Sequence, residues 1–138
     1  MTYDFSFAHS PEGFDNHIDK SIRGYSNLLD DTVSFSRYFV EDNTKVVDVG
    51  CSTGKLTKMI MGNNPNRQEA QYVGVELAGS FFGNLDKREK EIKKEYPWAS
   101  LEWVKGDVTN YEFNNCSLVT SLFTLQFMPK PTRQDTIN

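Results

Sequence analysis

Val46-Val47-Asp48-Val49-Gly50-Cys51-Ser52-Thr53-Gly54 is the stretch that decides the fold of this 138-residue chain. Its valine-rich start is typical of a buried parallel strand, and the glycines that follow predict a sharp turn. Spaced apolar residues then favour a helix from Gly54 to Met61. A glycine turn of this kind lets a ligand approach the backbone, and the helix N-terminus offers it unpaired N–H groups. We therefore predict a ligand site at this turn.

The alternation of strand and helix continues on both sides of the turn. Further strands are predicted over residues 71–77, 101–106 and 117–127. Further helices are predicted over residues 26–40, from Ser80 (as N-cap) to Tyr96, and from Pro129 onward. Such alternation produces right-handed βαβ units and a parallel sheet. We expect an α/β, three-layer αβα domain over residues 45–138, with four strands and an incomplete C-terminal part, preceded by an arm and a helix over residues 1–44.

Composition narrows the class of protein. No apolar run is long enough to span a bilayer, and the acidic N-terminus does not resemble a signal peptide. The two cysteines, Cys51 and Cys116, lie far apart without metal-ligand spacing, so we expect reduced thiols, no structural zinc and a cytoplasmic protein. The net charge of −4 argues against a large nucleic-acid footprint. Charges of alternating sign over residues 87–95 indicate a solvated helix face.

Two ligand classes that use such a turn fit poorly. A P-loop needs GxxxxGK[ST], whereas Gly50 and Gly54 are one residue too close and Leu56 replaces the hydroxyl that would hold magnesium. A nicotinamide dinucleotide site needs GxGxxG, but Ser52 and Lys55 occupy the places of its second and third glycines. A lysine at the third place would obstruct the close packing of helix on strand.

A looser pattern of acids and glycines fits throughout. It requires an acid in the first strand, a glycine turn, and acids that end the second and third strands. The chain supplies these in order as Asp48, Gly50, Gly54, Glu76 and Asp107. The ordered set resembles the signature of the class I methyltransferases, and the resemblance implies a Rossmann-like sheet that binds S-adenosylmethionine (SAM), S-adenosylhomocysteine (SAH) or carboxy-SAM.

Each residue of the predicted site has a physical role. Gly50 and its turn would approach the methionine moiety, and Asp48 would orient the amino group directly or through water. Glu76 can accept hydrogen bonds from both ribose hydroxyls. Asp107 can accept from the adenine amine, while the Val108 N–H donates to a ring nitrogen. The predicted cofactor-binding set also includes the turn and strand-end residues Cys51, Ser52 and Leu77. No catalytic residue and no metal ligand are predicted.

Several further motifs resemble one family within this class, the carboxy-S-adenosylmethionine synthases. They are Phe14-Asp15-x-His17-Ile18, Gly24-Tyr25-Ser26-Asn27, Asp48-Val49-Gly50-Cys51-Ser52-x-Gly54, Gly106-Asp107 and Phe123-Thr124-Leu125-Gln126-Phe127. The resemblance implies an enzyme that converts SAM and prephenate into carboxylated SAM, which a partner enzyme uses on the tRNA wobble uridine. It implies that Tyr25 reaches over the methionine end of SAM; the alternative is an aromatic residue packed on the core. For His17 we expect a surface or capping role.

Two departures from the family leave alternatives open. Leu122 stands where the family has an asparagine near the sulfonium, and the family's carboxyl-binding arginine would lie beyond Asn138. The chain is therefore predicted to be the SAM-binding half of a transferase. The alternatives are a non-catalytic SAM-binding or interaction module, and one half of a split enzyme. The expected partners are a small-molecule ligand and either a second copy or a completing chain, with no membrane and no direct nucleic-acid binding.

Overall fold

The structure is a computed structural model that describes residues 24–122. Along these residues helices and strands alternate. The strands are β1 (Lys45–Val49), β2 (Gln71–Glu76), β3 (Ser100–Lys105) and β4 (Cys116–Thr120). The helices are α1 (Tyr25–Ser36), α2 (Lys55–Asn63) and α3 (Phe82–Glu95), and short 3-10 turns lie at Gly79–Phe81 and Val108–Asn110.

The four strands form one parallel sheet in the order β3-β2-β1-β4. Val47 of β1 lies opposite Val73 of β2 on one side and Val119 of β4 on the other. The predicted α/β class and parallel sheet are therefore confirmed. Because parallel strands end at the same edge, this order brings the turn after β1 beside the ends of β2 and β3.

The two faces of the sheet have different coverings. On one face α1, α2 and α3 contribute Leu29, Ile60 and Ile92 to a cluster that also contains Tyr72. On the other face a second cluster consists of strand valines and Val108 of the second 3-10 turn. Within residues 24–122 all three α-helices thus pack on one face, and the second helical layer of the expected three-layer arrangement is not seen there.

Three predicted boundaries were wrong. The first helix ends at Ser36 and not at residue 40. At this end the buried Ser36 hydroxyl accepts a hydrogen bond from Asn64 Nδ2. Ser80 lies inside a 3-10 turn and is not the N-cap of the following helix. The fourth strand ends at Thr120 and is shorter than predicted. The arm before residue 24 and the helix expected from Pro129 lie outside the described residues.

The solvated face predicted for residues 87–95 is confirmed. Only Ile92 of α3 is fully buried in this stretch, while Lys58 of α2 forms ion pairs with Glu91 and Glu95. Among the described residues, no helix combines the length and apolar character that crossing a bilayer requires.

Candidate functional site

The turn after β1 has a backbone that requires special residues. Gly50 and Gly54 adopt φ angles of 72° and 77°, and Ser52 between them adopts 53°. This left-handed region suits glycine and costs other residues roughly 1–2 kcal/mol. The Gly50 N–H donates to the Val75 carbonyl of β2, and the Gly54 N–H donates to the Cys51 carbonyl. The turn is thus fastened to β2 at its start and closed on itself at its end.

Gly54 has a second reason to be glycine. A Cβ atom there would lie 2.8 Å from Trp103 Cη2 and 3.1 Å from Arg88 Cγ. The indole of Trp103, from β3, crosses β2 over Gly74, where a Cβ would lie 2.5 Å from the ring. Gly54 therefore packs directly against Trp103 of β3 and Arg88 of α3.

Glu76, at the end of β2, binds the turn with its carboxylate. Its Oε1 accepts a hydrogen bond of 2.8 Å from the Ser52 N–H, and its Oε2 accepts one of 2.9 Å from the Ala78 N–H. The side chain is buried, and this desolvation raises its pKa even though both N–H donors act in the opposite direction. Glu76 therefore organises the loops that follow β1 and β2.

Asp48 lies in the middle of the sheet. Its Oδ1 accepts a hydrogen bond of 3.0 Å from the Thr120 hydroxyl of β4. Burial raises the pKa of Asp48 from 3.8 to about 7; the Thr120 hydrogen bond opposes this, and the charge of Glu76 adds to it. Desolvation and the charge of Glu76 thus oppose the ionisation of this buried acid.

Asp107 and its neighbours form the third side of the site, after β3. The Asp107 side chain accepts a hydrogen bond from the Thr109 N–H and caps the second 3-10 turn. Val108 is buried, and the Gly106 N–H donates to the Glu76 carbonyl. Leu77, after β2, is 68% exposed, so it is available to a ligand.

Cys51 is a structural residue of the turn. Its thiol is buried close to Gly74, and burial, together with the charges of Asp48 and Glu76, raises its pKa well above the ordinary range. A thiol held in its protonated form is a poor nucleophile. We therefore assign it no covalent role.

Two residues singled out from the resemblance lie on the helical face of the sheet. Tyr25 is the first residue of α1, and both Tyr25 and Leu122 pack, partly buried, against the cluster that contains Leu29 and Tyr72. The packing of Tyr25 agrees with the simpler of its two predicted roles. His17 lies outside the described residues.

The structure brings most of the predicted set together at one edge of the sheet. The hydrogen bonds of Glu76 and Gly106 link the ends of β2 and β3 to the glycine turn. Sequence reasoning missed Thr120, Arg88 and Trp103, which contact the site from distant parts of the chain. A polar residue within an apolar strand was the only available signal, and it applies to Thr120 alone.

The site holds two buried carboxyl groups, and the described residues 24–122 place no basic side chain in an ion pair with either of them. The carboxyl groups belong to Asp48 and Glu76, and the charge of Glu76 helps to raise the pKa of Asp48. No cluster of three metal-ligating side chains occurs in the same part of the chain. Such a site favours a cationic organic ligand and disfavours phosphate groups.

Comparison with known proteins shows the family to which the chain belongs. Residues 46–138 match the family described as a methyltransferase domain. The carboxy-S-adenosyl-L-methionine synthase of Staphylococcus epidermidis is 29% identical over 133 residues, covering 96% of this chain and 54% of the relative. The synthase of Shewanella denitrificans is 31% identical over 135 residues, covering 97% and 54%. The chain thus spans about half the length of these relatives.

Solved structures confirm the fold. A candidate S-adenosyl-L-methionine-dependent methyltransferase from Methanococcus maripaludis superposes with a TM-score of 0.65 at 15% identity, covering 99% of this chain and 60% of that one. The SAM-bound amino pentose methyltransferase CalS10 from Micromonospora echinaspora gives a TM-score of 0.56 at 18% identity, covering 99% and 50%.

The comparisons also bear on the predicted class of protein. They confirm the class I methyltransferase resemblance, support SAM as the cofactor, and favour a transferase-family enzyme over a non-catalytic module. The roles predicted for individual site residues stay predictions.

Proposed function

Because the chain belongs to the methyltransferase domain family, we propose that it binds SAM at the carboxyl ends of β1, β2 and β3 and presents its sulfonium for group transfer. The observation that carries this proposal is the pair of buried carboxyl groups, Asp48 and Glu76, beside a glycine turn. SAM brings a sulfonium and an ammonium group. A cation near these acids offsets the cost of their burial.

In this proposal each side of the site binds one part of the cofactor. Asp48 orients the amino group, and Glu76 accepts hydrogen bonds from the ribose. Both oxygens of Glu76 already accept from backbone N–H groups, but each carboxylate oxygen has a second lone-pair site for a hydroxyl. Asp107 and Val108 bind adenine, with the exposed Leu77 beside it.

The turn and Tyr25 complete the binding of the methionine end. The N–H groups at the start of α2, where the N-cap residue Gly54 offers no side chain to cap the helix, donate hydrogen bonds to the ligand's carboxylate, as helix N-termini do to anions. Cys51 and Ser52 shape this part of the turn, and Tyr25 covers it from α1. Tyr25 also packs against the core cluster that contains Leu29 and Tyr72.

The reaction proposed for the whole protein is that named for its relatives, the synthesis of carboxy-SAM, and through it tRNA modification. The similarity to these synthases extends over 96% of this chain. Leu122 stands where these synthases have an asparagine near the sulfonium. Residues 1–138 alone therefore lack the polar group that the family places there. We expect no product heavier than SAM by one carboxyl group when this chain is incubated with SAM and prephenate. Mass spectrometry tests this, and such a product would contradict it.

Association with a second chain is also part of the proposal. β4 ends the strand order, and within residues 24–122 no strand pairs with its outer side. Val119 on this strand is 47% exposed. An unpaired apolar edge favours pairing with another strand, from a second copy or a completing chain.

The net charge of −4 supports the absence of direct nucleic-acid binding, and the free thiols of Cys51 and Cys116 support a cytoplasmic location.

Isothermal titration calorimetry tests the cofactor assignment. We expect saturable binding of SAM and SAH, and no binding of ATP or NAD⁺ at the same concentrations, because the buried carboxyl groups repel phosphates. Thermal unfolding measured with each ligand provides an independent readout, since a ligand of the folded state raises the Tm. Binding of ATP or NAD⁺ but not of SAH would contradict the proposal.

A further inference from the structure

Arg88 of α3 reaches the glycine turn with its side chain. Its Nε donates a hydrogen bond of 2.9 Å to the Thr53 carbonyl oxygen, and its Nη1 lies 3.2 Å from Glu91 Oε2. The side chain is largely shielded from solvent, with 21% of its surface exposed. The bond joins residues that are 35 positions apart in sequence.

The bonded carbonyl belongs to the peptide group that fixes the end of the turn. The Thr53 C=O and the Gly54 N–H share one planar peptide, so a bond that orients the carbonyl also orients the N–H. That N–H donates to the Cys51 carbonyl and closes the turn. The Gly54 carbonyl in turn accepts from the Lys58 N–H in the first turn of α2.

Side chains from two different elements thus hold the turn. Glu76, at the end of β2, accepts from the Ser52 N–H, and Arg88 of α3 donates to the Thr53 carbonyl. Arg88 Cγ and Trp103 also fill the space behind Gly54, where no Cβ would fit. The left-handed backbone of Ser52 costs free energy, and it persists only where its surroundings determine it.

We propose that Arg88 is a positioning residue for SAM binding: it acts through the Thr53 carbonyl to hold the glycine turn in its ligand-binding conformation. This inference rests on the proposed function. It assigns Arg88 no contact with SAM, and it attributes the effect to the Nε–H donor and not to the positive charge or the ion pair with Glu91.

Two substitutions separate the donor from the charge. Arg88→Gln places its Nε2 at the same distance along the side chain as the arginine Nε, so it keeps a donor for Thr53 and loses the charge. Arg88→Lys keeps the charge but places a methylene group at that point. We expect Arg88→Gln to bind SAH within twofold of the wild type and Arg88→Lys to bind on the order of fivefold more weakly, as the loss of one hydrogen bond predicts.

Lys58→Met is the matched control. Lys58 also links α2 to α3, but in the described part of the chain its side chain forms its ion pairs with Glu91 and Glu95 and not with the turn. It should bind SAH like the wild type. A result in which Arg88→Lys binds normally while Arg88→Gln is weakened would overturn the inference, because the charge would then be the active feature.

Amide hydrogen exchange in the ligand-free protein gives a readout that does not depend on SAM. Exchange at Ser52 and Gly54 should be faster in Arg88→Lys than in Arg88→Gln and the wild type, with unchanged exchange at Val47 in the core of the sheet. Equal exchange in both variants would overturn the inference. If the wild type fails to bind SAH but the exchange difference is found, the proposed function fails while the positioning of the turn by Arg88 stands.

Discussion

The Thr120 hydroxyl donates a hydrogen bond of 3.0 Å to Asp48 Oδ1, and both side chains are buried. The two residues lie opposite each other in the pairing of β4 with β1, although 72 positions separate them in sequence. Among the described residues this bond supports the Asp48 carboxyl group directly, and it lowers a pKa that burial raises. The position of the acid in the proposed site therefore depends on the strand at the edge of the described sheet.

Thr120→Val removes this donor with little change in shape. We expect the free energy of unfolding at pH 8 to fall by about 1–3 kcal/mol, because a buried carboxylate is left without its hydrogen bond. Thr57→Val is the matched control, since the buried Thr57 hydroxyl has no hydrogen-bond partner in the described part of the chain. That change should be neutral or stabilising. Urea denaturation of both variants checks this, and equal losses would contradict it.

Asp48→Asn is expected to stabilise the protein at high pH. The pKa of Asp48 is about 7 in the folded protein and near 3.8 when unfolded, so the folded state binds more protons between these values. Stability from this group is therefore present below pH 4 and is lost as pH rises through 7. Each pKa unit corresponds to about 1.4 kcal/mol, which sets an upper limit of roughly 4 kcal/mol on the gain at pH 8.

The same variant should bind SAH more weakly, because the ligand's amino group loses its charged acceptor. Stability and binding thus move in opposite directions in Asp48→Asn.

The wild type should bind SAH more tightly at pH 8 than at pH 6, because Asp48 is ionised to a greater extent at the higher pH. The affinity for 5′-methylthioadenosine, which lacks the amino acid part, should change less. Calorimetry at the two pH values measures both. A variant that is less stable than the wild type at pH 8, or one that binds SAH normally, would count against this role.

Gly74→Ala tests the close approach of Trp103 to β2. The new Cβ would lie 2.5 Å from the indole and 2.8 Å from Cys51 Sγ, so we expect a loss of about 1–3 kcal/mol in the free energy of unfolding. Gly83→Ala in α3 is the control, because nothing lies within 4 Å of its Cβ position. It should stabilise by up to about 1 kcal/mol through helix propensity. Thermal unfolding of the pair decides, and a neutral Gly74→Ala would show that Trp103 does not pack as described.

The parts of the fold that the sequence predicted are those with a local signal. Three valines entering a glycine turn are enough to indicate β1 and the ligand site, and acids at strand ends mark Glu76 and Asp107. Contacts across long separations gave no such signal. The bond from Arg88 to Thr53 and the end of α1 at Ser36, which is bonded to Asn64, depend on how helices pack. The N-cap role expected of Ser80 failed because a 3-10 turn precedes the helix.

Val119→Lys tests the proposed association through β4. A lysine on an edge strand opposes pairing with a second strand, and Val119 is already 47% exposed, so the fold should tolerate it. We expect the wild type to form dimers or larger species at micromolar concentration and the variant to be monomeric. Light scattering after size exclusion measures both masses. A monomeric wild type would show that the edge of β4 does not drive association.

The position of the cofactor site is the central claim, and an NMR titration of the ¹⁵N-labelled protein with SAH tests it most directly. The amide signals of Ser52, Ala78 and Val108, one from each loop of the site, should shift saturably and with one common Kd. The amide signals of Lys93 and Lys94, at the far end of α3, should not move. Saturable shifts confined to other parts of the chain, or no shifts at millimolar SAH, would contradict the account.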